Sequence, residues 1–389
     1  MRKFLTLSVL IFLSSLFFIP NTNAAQVVKI SEPTHRLSDG VFFDDLLAQK
    51  LTPTGSLGQM VYFNTLGVNN WLVDPATLSE IVAMSNGYVI SDGWEIKDTQ
   101  VSGQEVAKAW LAQFIKVTKN KKVTPITYGN PSSFWANEVM ADQIEYLNVI
   151  GKIRLETLLR RPVEEVSSTE AVKQKFNKAS LSVLKYSQRQ INLLSTLLEK
   201  KQLEDNQLRL SQLLNPDLEE KIFLDLLKDY DKSISVMRKK LNIKNTKFTV
   251  TSSKEELPIT VINDFDQIVK LKLSSRAMTS KVSVAQIEEI ELAGKSKKQV
   301  LLPIEVFAAG DSRLLVQLTN LENKPVGYPV NINLKLSAMI HLIPKSNNAQ
   351  GACSLDDPQP KFLPEIKIFA LLKGALFKIK LFIAFPFSS

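Results

Sequence analysis

Cysteine and histidine are nearly absent from this chain: one Cys and two His stand among 389 residues. A single thiol excludes an intramolecular disulfide and a Cys-based zinc site. His35 and His341 are too far apart for an HExxH motif or a His-rich metal cluster, and they are the sole bases open to a His-dependent triad. No G-x-S-x-G elbow occurs; Gly55-Ser56-Leu57-Gly58 is a small-residue loop. Gly294-Lys295-Ser296 resembles the end of a phosphate-binding loop, but position 289 is Glu where the first glycine would stand. It lies between two predicted strands and reads as a hairpin turn. Cys353 is far from any lipoprotein acylation context and reads as an unpaired loop thiol. No metal and no cofactor is implied.

The positive charge is concentrated at the ends. The chain carries +9 in total, from 48 Lys+Arg against 39 Asp+Glu. Residues 1–24 hold +2 and residues 361–389 hold +4, which leaves +3 for residues 25–360. So balanced a body argues against nucleic acid as a partner. Arg2-Lys3, the apolar stretch Phe4 to Ile19 and the polar run ending at Ala24 match a secretory signal peptide, cleaved after Ala24 or retained as an N-terminal anchor. Either outcome places the body outside the cytoplasm, secreted or membrane-associated in the cell envelope. Sparse cysteine is compatible with export, because a chain this long can build a core without disulfides.

Periodicity divides the rest. Residues 25–55 read as a polar linker with one short helix at Asp44–Leu51. Residues 56–164 alternate strand and helix: Trp71–Val73, Ala76–Met84, Tyr88–Ile90, then Gly103–Lys119 with Val106, Trp110, Phe114 and Val117 inward. Val123–Tyr128 and a helical stretch to Leu159 follow. This is the pattern of a parallel α/β domain. Residues 165–245 read as a helical segment with Phe176, Ala179, Val183, Tyr186, Leu193 and Leu197 on one face. Asn215-Pro216 announces its second helix, which buries Ile222, Leu226, Tyr230, Ile234, Met237 and Leu241.

From Asn245 the apolar period changes to two. Phe248/Val250, Leu257/Ile259/Val261, Val269/Leu271/Leu273, Val282/Val284, Ile290/Leu292, Leu302/Ile304/Val306, Leu314/Val316/Leu318 and Val330/Ile332/Leu334/Leu336 predict an Ig-like β-sandwich over 246–341. The fold class is therefore α+β multidomain. Residues 342–389 form a linker and an apolar tail whose longest uncharged run, Leu381–Ser389, is far short of the ~20 residues that span a bilayer. Lys367, Lys373, Lys378 and Lys380 share one arc of a helical wheel, as in a basic amphipathic helix on a membrane surface. A buried core segment, or a disordered and frameshifted end, are the other readings.

Two acids follow predicted strands, Asp74 and Asp92, where parallel α/β folds gather their functional groups. Trp94 and Tyr128 could form a sugar-stacking wall beside them, with Asn130 as a further binding group. A pair of carboxylates flanking a glycosidic bond suffices for hydrolysis. Asp74-Pro75 is equally a helix start, and Asp92-Gly93 a turn.

The stretch Leu257-Pro258-Ile259-Thr260-Val261-Ile262-Asn263-Asp264 resembles the opening of the C-terminal Ig-like domain in a family of uncharacterised actinobacterial envelope proteins. Trp71-Leu72-Val73-Asp74-Pro75 and Val123–Pro131 are similar to segments of that family's barrel-like α/β middle domain. The resemblance covers residues 56–341. It implies a signal peptide, a membrane tether and a connection with cell-wall assembly, since the family is often encoded beside a lipid II flippase; no activity is established for it. Three features depart from the pattern. The family's N-terminal β domain is not seen, Asn130-Pro131-Ser132 replaces an acidic "DPD" segment, and the lysine-broken tail replaces a terminal helix. The expectation is a non-catalytic envelope protein that binds wall glycan, another envelope protein or a membrane surface. The alternative is a carboxylate-based hydrolase of wall glycan.

Overall fold

A computed structural model describes residues 26–337, apart from 64, 66, 92–95 and 98–100. Of the chain's two units, Met1–Ile340 and His341–Ser389, the described residues all belong to the first. The signal segment, Asp92, Trp94 and the tail lysines 367, 373, 378 and 380 lie outside the described residues.

The N-terminal half is organised by a parallel sheet in the order β1 (Gln26–Ile30), β2 (Val68–Val73), β5 (Lys122–Pro125). Between β1 and β2 run α1 (Leu46–Leu51) and α2 (Ser56–Tyr62). After β2 come α3 (Pro75–Ser85), the small antiparallel pair β3 (Ile90–Ser91) and β4 (Ile96–Lys97), and α4 (Val101–Thr118). After β5 come α5 (Ser133–Met140), a 3₁₀ turn and α6 (Ile144–Leu159). The inward face of α4 is the one its spacing predicts. Trp110 stacks on Phe114 at 5.2 Å, Phe114 meets Trp71 edge-on at 6.0 Å, and the Trp110 indole donates to Leu57 O.

Residues 25–55 are not a linker. Val28 and Ile30 pair beside β2 as an edge strand, and Phe42, Leu47 and Leu51 are buried in the same core. Five strand residues are too few to display a period, and the turns after them are ordered by backbone bonds such as Phe43 N to His35 O. Residues 165–177 are likewise not helical. Glu164 N donates to Val123 O and Ser167 N to Pro125 O, so the chain from Glu164 to Ser167 runs beside β5, joined by an isolated bridge between Ser167 and Ile126.

Three helices follow, α7 (Lys178–Leu194), α8 (Lys200–Leu213) and α9 (Glu220–Lys239). Asn177 caps α7 by accepting from Ser180 N. The buried face of α7 is Ser180, Leu184, Ser187, Gln188, Ile191 and Leu194, displaced from the predicted face, and Tyr186 is 36% exposed. The displacement has a physical cause: this face buries small and amide side chains, which hydrophobicity alone does not mark. Asn215 makes a turn, accepting from Asp217 N, and α9 starts at Glu220 rather than Pro216.

The second half is a β-sandwich. One sheet runs β10 (Val282–Val284), β12 (Ser296–Val306), β8 (Lys254–Asn263), β6 (Leu241–Ile243). The other runs β11 (Ile287–Leu292), β9 (Val269–Ala277), β13 (Gly310–Thr319), β14 (Pro325–Leu336), β7 (Lys247–Val250). Each alternating run is a strand, and burial alternates along them as the period of two requires. The Gly294-Lys295 turn joins β11 to β12, so it crosses between sheets rather than closing a hairpin within one. A Cβ on Gly294 would lie 2.2 Å from Asp266 O, hence glycine there. Asn263, fully buried, accepts from Phe265 N and donates to Gln267 O and Ala293 O, tying the β8–β9 turn to the β11–β12 crossing.

The helices α7 to α9 and the sandwich share one hydrophobic core, in which Leu226, Tyr230 and Ile234 join Leu241, Val326 and Leu257. Arg238 at the end of α9 donates to Gly327 O at 2.7 Å and lies 4.0 Å over the Tyr328 ring, fastening the helix to β14.

Candidate functional site

Asp74 follows β2 and caps α3, with Pro75 in the first helical position. Its Oδ1 accepts from Ala76 N at 2.9 Å and Gly129 N at 2.8 Å, and its Oδ2 accepts from the Thr77 hydroxyl at 3.1 Å. The side chain is 0% exposed. Burial pushes the carboxyl up to about 6, against the pull of those three donors. The carboxylate is a brace between α3 and the loop after β5, and nothing outside the protein reaches it.

The same C-terminal edge of the sheet opens into a polar cleft of about 250 Å³. Five parts of the chain build it. The turn after β1 supplies Arg36 and Asp39, α3 supplies Ser79 and Glu80, the loop after β5 supplies Tyr128, and α6 supplies Arg154. From across the fold α8 adds Asp205, Arg209 and Gln212, spaced to share one helix face. The floor is a bonded network. Glu80 Oε1 accepts from the Thr34 hydroxyl and from Gln212 Nε2 at 3.0 Å, and Oε2 accepts from His35 N at 2.9 Å. Arg209 donates to Thr34 Oγ1 at 2.8 Å and Leu37 O at 2.6 Å. Burial lowers the Arg209 guanidinium from its usual range, opposed by Glu80 and Asp229. At the rim Arg154 pairs with Glu204, donates to the Tyr128 hydroxyl at 3.2 Å and covers its ring at 5.3 Å. Burial raises the Tyr128 phenol.

Beneath the turn that carries Arg36 is a second charged cluster. His35 Nδ1 lies 2.7 Å from Asp44 Oδ1, and Nε2 lies 3.5 Å from Glu32 Oε1, an ion-pair distance beyond a hydrogen bond. Lys50 pairs with the same Glu32 oxygen. Burial draws the imidazole down, but Asp44 and Glu32 outweigh it and raise His35 to about 9. The cation is thus held between two acids inside the fold.

Of the residues singled out from sequence, Tyr128 reaches the cleft, with its ring already covered by Arg154. Asn130 is buried beside it, in a left-handed conformation at φ 48°, with its amide 3.5 Å from Asp217. Asp74 is near but enclosed. The residues that sequence reasoning missed are Glu80, Arg154, Arg209 and Gln212. The charged and amide positions 205, 209 and 212 at helical spacing were the available signal for the α8 contribution. Among the described residues no group of three or more His, Cys, Asp or Glu is placed to hold a metal, and no helix is long and apolar enough to cross a membrane.

A small parallel α/β layer with a polar cleft at its carboxyl edge, continued by helices into an Ig-like sandwich, is the class this geometry defines. Residues 149–342, from α6 to just beyond the sandwich, match a family of unknown function, DUF6049. No curated protein matches the chain. Among solved structures it is similar to WR4, an MSP family member of C. elegans (9% identity over 25% of this chain and 97% of that one, TM-score 0.20). It is also similar to a PapD-like domain of human CEP192 (16% identity, 26% and 88%, TM-score 0.20) and to the E. coli chaperone DraB (14% identity, 24% and 53%, TM-score 0.18).

Proposed function

We propose that this is an exported cell-envelope protein that works by binding, a recognition and scaffolding component connected with wall assembly. Its partner in this reading is a wall glycan or another envelope protein. The observation that carries the reading is the use made of the carboxylates at the sheet's C-terminal edge. A general acid or base must reach a proton on substrate. Asp74 and Glu80 instead accept three protein donors each. The groups left along the cleft, Arg36, Asp39, Arg154 and Asp205, are of the kind that recognise. Export is supported by the targeting pattern of residues 1–24, and the sandwich serves as a rigid mount for the parallel α/β layer. The tail lysines contribute contact with a membrane surface.

The test is sedimentation of the purified full chain with insoluble wall glycan, alongside an assay for released soluble fragments. Retention without release is expected. Release that Glu80→Gln abolishes would overturn the reading in favour of a hydrolase. For the tail, deleting residues 361–389 should abolish binding to anionic vesicles; unchanged binding removes the membrane contact from the proposal.

A further inference from the structure

The polar cleft is one half of a longer depression. Ser79 and Arg154 line it, and both also line a groove of about 550 Å³ between α3 and α6. That groove is walled by Pro75, Leu78, Val82, Ile153 and Leu158. Ile153 is 50% exposed, and Val149, one turn earlier on the same face of α6, is 47% exposed. Both volumes lie in or near the range of small-molecule sites. The two compartments differ in chemistry and meet within the width of one side chain.

The cleft sets three guanidiniums, Arg36, Arg154 and Arg209, among three carboxylates, Asp39, Glu80 and Asp205. Neither sign of ligand charge is favoured by such a lining. Glu80 and Arg209 are engaged in the floor, so Arg36, Asp39, Arg154 and Asp205 set donors and acceptors side by side, and a hydroxyl group both donates and accepts. The groove holds no acid and no amide; beyond the shared Arg154 its one charge is Arg160. An occupant of both must turn from polar to hydrocarbon at Ser79 and Arg154. An alkyl chain leaving a sugar makes that change at a single bond, and the two volumes suit a small molecule rather than the broad footprint of a folded partner.

We infer that this depression takes a single-chain amphiphile, with an uncharged, hydroxyl-rich head in the cleft and its hydrocarbon chain along the α3–α6 groove. The inference rests on the cleft being a ligand site, as proposed above, and names the ligand's class.

Calorimetry on the full chain tests it with three probes below their micelle concentrations: methyl glucoside, octyl glucoside and octyl phosphate. Octyl glucoside should bind at least tenfold more tightly than methyl glucoside, the gain from burying about two methylenes. Ile153→Asp should remove that increment and leave methyl glucoside unchanged. Asp205→Ala should weaken both glucosides by the same factor. Both positions are exposed on helices, so the substitutions leave the core intact. Equal affinity for the two glucosides would overturn the chain-in-groove inference while leaving the cleft reading standing. Octyl phosphate binding as tightly as octyl glucoside would overturn the uncharged head. Concentration-dependent self-association lost in Ile153→Asp would show a second copy in the groove and overturn the inference. No binding of any glucoside would sink the cleft as a sugar site as well.

Discussion

Asp74 and His35, at the sheet's edge, each tie stability to pH. Asp74→Ala removes a helix cap and strands the buried Gly129 N–H, which should cost about 2–4 kcal/mol in urea unfolding. Asp74→Asn keeps an acceptor oxygen and should cost less. The pH signature is separable. Folding raises Asp74 from 3.8 to about 6, so the folded state holds this proton longer than the unfolded one. The contribution is present below about pH 4 and is lost as pH rises through 6, and Asp74→Asn should abolish that slope. His35 acts in a higher window. Its folded value of about 9 exceeds the ordinary 6.5, so its contribution is complete below pH 6.5 and lost as pH rises through 9. Melting temperature measured from pH 6 to 10 should fall in the native protein and flatten in His35→Gln.

Elements show why part of this architecture is legible in the sequence and part is not. The sandwich strands are legible because burying one face of a sheet repeats at every second residue, and long strands such as β8 and β12 display the period several times. Five-residue β1 cannot, and its order comes from pairing with β2. The face of α7 is misread by hydrophobicity because Ser180, Ser187 and Gln188 point inward. Asp74 was visible as a strand-end acid, and its Asp-Pro step already carried the capping alternative that the structure places. The cleft is the least legible part. Glu80 and Gln212 are 132 positions apart, and no local pattern reports a contact of that range. Their meeting depends on Gly129, at φ 82°, where a Cβ would stand 2.9 Å from the backbone N of Gln212. Gly129→Ala should displace α8, lowering stability by roughly 1–3 kcal/mol and weakening octyl glucoside binding more than Ile153→Asp does. In the sandwich, Asn263→Ala leaves Phe265 N without its acceptor and should lower the stability measured by urea unfolding by roughly 1–3 kcal/mol.

Across the whole described fold there are two cores, and α3 and α6 contribute residues to both. One lies around the parallel sheet, and the other runs without interruption from α7–α9 into the sandwich. Helix and sandwich should therefore unfold together. Leu226→Ala, a substitution of the ~2–5 kcal/mol class, should reduce hydrogen-exchange protection at Ile259 and Val261 in β8 as much as it does within α9. Protection lost in α9 alone would show that the two are separate cooperative units. The shared core also has a mechanical consequence. A pull on the chain at Ser337 runs lengthwise along β14, which pairs antiparallel with β13 on one side and parallel with β7 on the other. The load meets both ladders in shear, across many hydrogen bonds at once, and passes through Arg238 and Gly327 into α9. Tension on that end of the sandwich would thus be carried into the helical layer instead of peeling the sandwich open strand by strand.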